Sequence, residues 1–156
     1  MIEIGIPHPD FKGVSERLRH FLVTREMVRV LDEVTPEVLA AIREKAPVGK
    51  GAGGGKLRDS IRADFRRTSS TSVERRFVTR VHYAPYVIHG TQAHTIEATA
   101  ARALHWTDAS GEGHFARLVH HPGTRANPFA KKAVEPFMPI LRARLEEALA
   151  NTFSEL

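Results

Sequence analysis

The stretch Ser60-Ile61-Arg62-Ala63-Asp64-Phe65-Arg66 decides the fold class. Ile61, Ala63 and Phe65 alternate with Arg62, Asp64 and Arg66, which is the two-residue period of a half-buried strand with a charged outer face. A polar turn follows at Thr68-Ser69-Ser70-Thr71-Ser72. The next run then places Phe77, Thr79, Val81 and Tyr83 on one face and Arg76, Val78, Arg80 and His82 on the other. The two runs predict a β-hairpin. If its apolar face packs on helices, Arg62, Arg66, Arg76 and Arg80 share the opposite face as one basic surface.

Upstream, the period is helical. A short extended start breaks at Pro7 and Pro9. From Val14 to Ala46 the apolar residues Val28, Leu31, Val34, Val38, Leu39 and Ile42 recur at spacings of three and four, one face for burial. Pro36 interrupts this run; with Thr35 able to cap, either a kink or two consecutive helices is expected. The helix ends before Pro47, because a residue preceding proline is pushed out of the helical region. Pro47 to Gly55 reads as loop.

Downstream, Ala84-Pro85-Tyr86-Val87-Ile88-His89-Gly90-Thr91 makes about one helical turn and stops at glycine. Short strands are expected at Ala103–Trp106 and His114–Val119, joined by a Ser110-Gly111-Glu112-Gly113 turn. The stretch from His120 to Phe129 is a loop locked by Pro122 and Gly123, ending in a helix start with Asn127 as N-cap and Pro128 as first helical residue. The last segment carries Phe129, Ala133, Phe137, Ile140, Leu141, Leu145, Ala148 and Leu149 on one stripe, bent at Pro136 and Pro139. The expected architecture is α+β: a small, mainly antiparallel sheet with a basic hairpin, packed against a long N-terminal helix and a C-terminal helix, with long loops.

The 156 residues fit a single domain, 1–156, with residues 1–24 as an N-terminal arm and 25–150 as the core. The absence of cysteine removes disulfides, thiolate metal sites and cysteine nucleophiles. No apolar run has the length of a membrane span, and Met1-Ile2-Glu3-Ile4 lacks the basic-then-apolar order of a secretory signal, so a soluble protein is expected. The net charge of +5 is local: residues 56–80 hold eight basic and three acidic side chains. Several guanidinium groups on a rigid hairpin can engage phosphates or carboxylates.

Catalytic signatures are not found. The glycine-rich loop around Gly49, Gly53 and Gly55 is no phosphate cradle, since Lys50, Leu57 and a preceding helix stand where a P-loop needs glycine, a hydroxyl and a strand. Nine histidines show no metal-ligand spacing. There is no nucleophile elbow, and the paired carboxylates read as solvated charges. Neither a metal, a cofactor nor an enzymatic activity is expected. A toxin-like ribonuclease using His120, His121 and Arg125, or a small basic nucleic-acid-binding protein, is the alternative. Aromatics are not interleaved with the hairpin arginines as single-strand stacking would require.

Four separated pieces, in order, give the chain a family resemblance. These are Ala46-Pro47-Val48 running through a glycine loop into Leu57-Arg58-Asp59-Ser60-Ile61; Tyr83-Ala84-Pro85-Tyr86-Val87 with His89-Gly90-Thr91; Ala103-Leu104-His105-Trp106; and His121-Pro122-Gly123-Thr124 followed by Pro128-Phe129. Over about Val28 to Leu149 the chain resembles the tail-completion, or head-to-tail joining, proteins of long-tailed double-stranded DNA bacteriophages. It departs in its longer glycine loop and in Ile88-His89, where an acidic residue usually precedes the glycine. The resemblance implies a structural virion protein, made in the host cytoplasm, that forms a sixfold ring at the head–tail junction. Its implied partners are further copies of itself, the head connector or portal-adaptor proteins, and the tail terminator or tail tube, with possible non-specific contact to packaged DNA and none to membrane. The glycine loop, the segment from Thr91 to Ala101 and the His120–Asn127 loop are the candidate contacts that order on assembly. Gly49, Gly53, Gly55, Thr91, His94, His120, His121 and Arg125 are their interface residues.

Overall fold

A computed structural model describes residues 16–49, 54–67, 72–108 and 110–154. The extended start with Pro7 and Pro9, Gly53, most of the Thr68–Ser72 turn and the side chain of Arg66 lie outside the described residues.

The first helix, α1 (Glu16–Lys45), is one uninterrupted element of 30 residues with Pro36 inside it, about 45 Å long. Neither a second helix start nor a helix end occurs at Pro36. The proline removes one backbone donor, a loss of about 3 kcal/mol in a helix interior. Against it stands a row at intervals of four, Val30, Val34, Val38, Ile42 and Ala46, buried on both sides of the proline. Each large apolar side chain in such a row contributes about 1.5–3 kcal/mol, so packing outweighs the missing bond. The expected stripe is broadly right, although Val28 is only half-buried while Val23 and Val30 are core residues.

Gly55, at φ +92°, leads into α2 (Lys56–Ser60), a helical turn directly after the expected Pro47–Gly55 loop; it carries Leu57 into the core at 2% exposure. The Arg43 guanidinium of α1 donates to the Ile61 carbonyl from Nε and Nη2 at 3.1 and 2.6 Å. β1 (Arg62–Arg67) and β2 (Val73–Val78) form the expected hairpin, with Arg62 opposite Val78 and Arg66 opposite Glu74. The face bearing Phe65, Arg75 and Phe77 lies toward α1: Arg75 bonds Asp32 there, and its guanidinium sits 5.1 Å from the Phe65 ring centroid. Phe65 therefore stays 42% exposed under a cation instead of entering the core.

α3 (Ala84–His89) ends at Gly90 as its sequence predicts. The remaining β structure differs from expectation. Where one small sheet was expected, the described residues hold three separate two-stranded ladders. The run expected as one strand over 114–119 breaks at Arg117 into β5 (Gly113–Ala116) and β6 (Leu118–His121), because the halves pair with different strands. β5 pairs with β4 (Leu104–Thr107), and β6 with β3 (His94–Glu97), in a segment expected to be loop.

The chain closes with α4 (Phe129–Val134), a 3-10 turn (Glu135–Phe137) holding Pro136, and α5 (Met138–Ser154) with Pro139 in its first turn. The N-cap is Pro128, not Asn127: no side chain caps the helix, and the backbone N–H of Asn127 donates to the Val87 carbonyl at 3.0 Å. Phe129, Ala133, Leu141, Leu145, Ala148 and Leu149 are buried as expected, whereas Ile140 is exposed. α4, α5 and the hairpin all pack on α1, and that shared core is the body of the molecule. Among the described residues no helix is long and apolar enough to cross a membrane.

One member of the α1 row is polar. Glu26, 6% exposed, accepts from Arg29 Nε at 2.7 Å and from Arg25 at 3.2 Å. Burial raises the tendency of its carboxyl to hold a proton, but the hydrogen bonds and charges of Arg29 and Arg25 outweigh it and leave the pKa below the ordinary 4.5. A carboxyl depressed in the folded state adds stability above its unfolded pKa, and that increment fades as pH falls below 4.5 through the folded value. Glu26→Gln is therefore expected to flatten the acid limb of the stability curve. Urea midpoints at about pH 7 and about pH 3 check this, the wild-type difference exceeding that of the variant.

Candidate functional site

From Thr91 to Thr124 the chain forms one long ribbon. β3 and β4 run outward, β5 and β6 return, the tip is closed by the bond from Asp108 N–H to the Glu112 carbonyl, and six residues, 98–103, face the single Arg117 on the return side. Twelve residues of returning chain reach at most about 40 Å. Neither ladder makes a substantial contact with any helix or with the β1–β2 hairpin. The ribbon is an arm.

Its base is a clasp of two Gly-Thr pairs. Gly90 and Gly123 both have positive φ, +75° and +89°. Thr91 N–H donates to the Thr124 carbonyl at 3.0 Å, Thr124 N–H to the Thr91 carbonyl at 3.1 Å, and the two hydroxyls lie 3.0 Å apart. A Cβ on Gly90 would stand 2.4 Å from the Thr124 oxygen, and one on Gly123 2.4 Å from the Thr91 oxygen. Glycine is required at both positions because each backbone passes where the other's side chain would be.

The arm collects several of the expected interface residues. Thr91 is in the clasp; His94 and His121 are cross-strand partners with ring centroids 5.1 Å apart. His120 Nδ1 lies 3.2 Å from the Thr95 hydroxyl, and His121 Nδ1 accepts the Gly123 N–H at 3.0 Å. Neighbours on a strand point to opposite faces, so His120 and His121 do not converge on one substrate atom. That geometry gives the ribonuclease alternative no support. Arg125 is exposed just past the clasp, while Gly49 and Gly55 belong to the α1–α2 connection. The segments expected to be loops that order on assembly, Thr91–Ala101 and His120–Asn127, are already paired with each other through β3 and β6.

Of the basic-face residues, Arg62, Arg66 and Arg76 occupy register positions on the side of the hairpin away from Asp32, together with Asp64 and Glu74. Arg76 pairs with Asp64 at 3.3 Å. Arg80 follows the strand and is exposed. The surface is basic but partly neutralised from within.

The arm's tip holds residues that were not among the expected interface residues. His105 stacks on Phe115 across the ladder at 4.5 Å, and Trp106 on His114 at 5.5 Å, one pair on each face. Phe115 is 72% exposed and Trp106 41%. The signal was available: His105-Trp106 and His114-Phe115 put large rings on both faces of short strands, which demands cover on both sides. Asp108, Glu112 and His114 bring potential metal-ligating atoms within 4.8 Å of one another. Asp108 Oδ1 already accepts the Ser110 and Glu112 amides and the Ser110 hydroxyl, and Oδ2 meets His114 Nε2 at 2.9 Å, so the group reads as a turn closure. The His114 hydrogen bond, followed by those from Ser110 and Glu112, holds the Asp108 carboxyl below the usual aspartate range.

Residues 15–90 match the family model described as "Bacteriophage HK97-gp10, putative tail-component". The match begins upstream of Val28 and ends at Gly90, so the pieces Ala103–Trp106 and His121–Phe129 lie beyond it. No curated protein and no solved structure matches the chain.

Proposed function

We propose that this chain, whose residues 15–90 match the HK97-gp10-like bacteriophage family described as "putative tail-component", is a non-enzymatic subunit of a sixfold ring at the head–tail junction of the virion. There it joins the connector of the DNA-filled head to the tail terminator or tail tube. The observation that carries this reading is the arm: a ribbon fixed at its base by the Gly90–Gly123 clasp that leaves Ile96, Trp106, Phe115 and Leu118 uncovered. A two-stranded ribbon gains little stability alone, and exposed large apolar groups on it suit a contact completed by another molecule. Ring subunits need two different complementary faces, and the arm and the body offer two. Phage particles assembled without this protein are expected to yield filled heads and separate tails. Electron microscopy of such lysates checks it; normal joining sinks the reading.

A further inference from the structure

We infer that the tip of the arm seats on the β1–β2 hairpin of a second copy of this chain. This deepens the ring reading and rests on it. Between Ala103 and Ala116 the formal charges are Asp108 and Glu112, with no lysine or arginine. The Asp108 carboxylate is taken up by the turn, which leaves the exposed Glu112 carboxylate without a partner among the described residues. Behind it in the β4–β5 ladder stand the stacked pairs His105–Phe115 and Trp106–His114, one on each face, with His114 nearest to Glu112.

A free carboxylate at the end of a ladder that exposes aromatic rings is what guanidinium groups recognise, through charge-assisted hydrogen bonds and stacking over the rings. It repels phosphate, so the tip does not fit a nucleic acid. The chain itself carries the matching surface. Residues 56–80 hold a surplus of five positive charges. Arg62 and Arg80 are exposed and have no ion pair among the described residues. Within one molecule the tip and the hairpin make no substantial contact. Two complementary patches that stay apart on one chain form a heterologous contact between copies, the kind that closes into a ring.

The full-length chain serves for the test, by sedimentation velocity over roughly 1 µM to 1 mM, the range of weak association constants. Glu112→Arg is expected to weaken self-association about tenfold, as is the pair Arg62→Glu and Arg80→Glu; all three together restore it to within about threefold of wild type. Urea midpoints guard against misfolding, since all three side chains are exposed in the monomer. Wild-type association that is indifferent to Glu112→Arg, or a reversed-charge variant that stays weak, overturns the docking and leaves the ring reading standing. A wild-type chain that remains monomeric throughout overturns the docking as well, while the ring reading is judged separately by the head–tail joining experiment.

Discussion

Gly90→Ala and Gly123→Ala are each expected to destabilise the protein by about 3 kcal/mol or more, a loss in the upper range for single substitutions. Two costs combine. Left-handed backbone costs an alanine roughly 1–2 kcal/mol. In addition, the new Cβ would meet backbone: Thr124 O at 2.4 Å and Ala126 N at 2.8 Å for Gly90, Thr91 O at 2.4 Å and the Gln92 carbonyl carbon at 2.8 Å for Gly123. Backbone cannot swing aside as a side chain does, so the paired Thr91–Thr124 hydrogen bonds must lengthen or break, at about 0.5–1.5 kcal/mol each. Gly111 provides the control, with φ +91° and nothing within 4 Å of its would-be Cβ. Gly111→Ala should show the conformational cost alone, about 1 kcal/mol. Urea titration separates the cases, and amide exchange over 94–121 should speed up in the clasp variants. Equal losses at Gly90 and Gly111 would mean that the clasp does not hold the arm.

Phe129→Ala is expected to cost about 3–5 kcal/mol, the usual range for emptying a buried aromatic site. Phe129 is 3% exposed in the core that α4 shares with α1, and it lies two residues after the backbone anchor from Asn127 N–H to the Val87 carbonyl. The cavity would thus open where the returning arm joins the body. Phe115→Ala, at 72% exposure, should change monomer stability by less than about 0.5 kcal/mol. Denaturation of the two variants side by side is the measurement; similar losses would place Phe115 against the body and remove the arm as a free surface.

The hairpin and the helices were legible because their signals are local. Ile61 to Arg66 alternates at period two, Val34, Val38 and Ile42 repeat at helical spacing, and Gly90 follows a short apolar turn. The arm was not legible, for a physical reason that differs by strand. His94-Thr95-Ile96-Glu97 is exposed on both faces, so no buried side imposes an alternation that could be read. Gly113 to His121 has continuous strand character, and only its two partners reveal the break at Arg117. Phe65 alternates as an inner-face residue, yet Arg75 and Asp32, distant in sequence, meet beside it. Pro36 reads as an interruption until the continuous packing along α1 outweighs it.

The sequence by itself determined the α+β composition, the two long helical stripes and the basic hairpin, each from residue type and short-range spacing, and it carried the resemblance to phage joining proteins. Only the tertiary structure decided that the two Gly-Thr pairs, 33 residues apart, close on each other, and that the segments between them form a projecting arm with aromatic rings on both faces. Those features depend on which distant backbones approach within hydrogen-bond distance. No local periodicity encodes that choice, because strand pairing is selected by the free energy of the whole fold and its direction and length emerge only when both partners are in place.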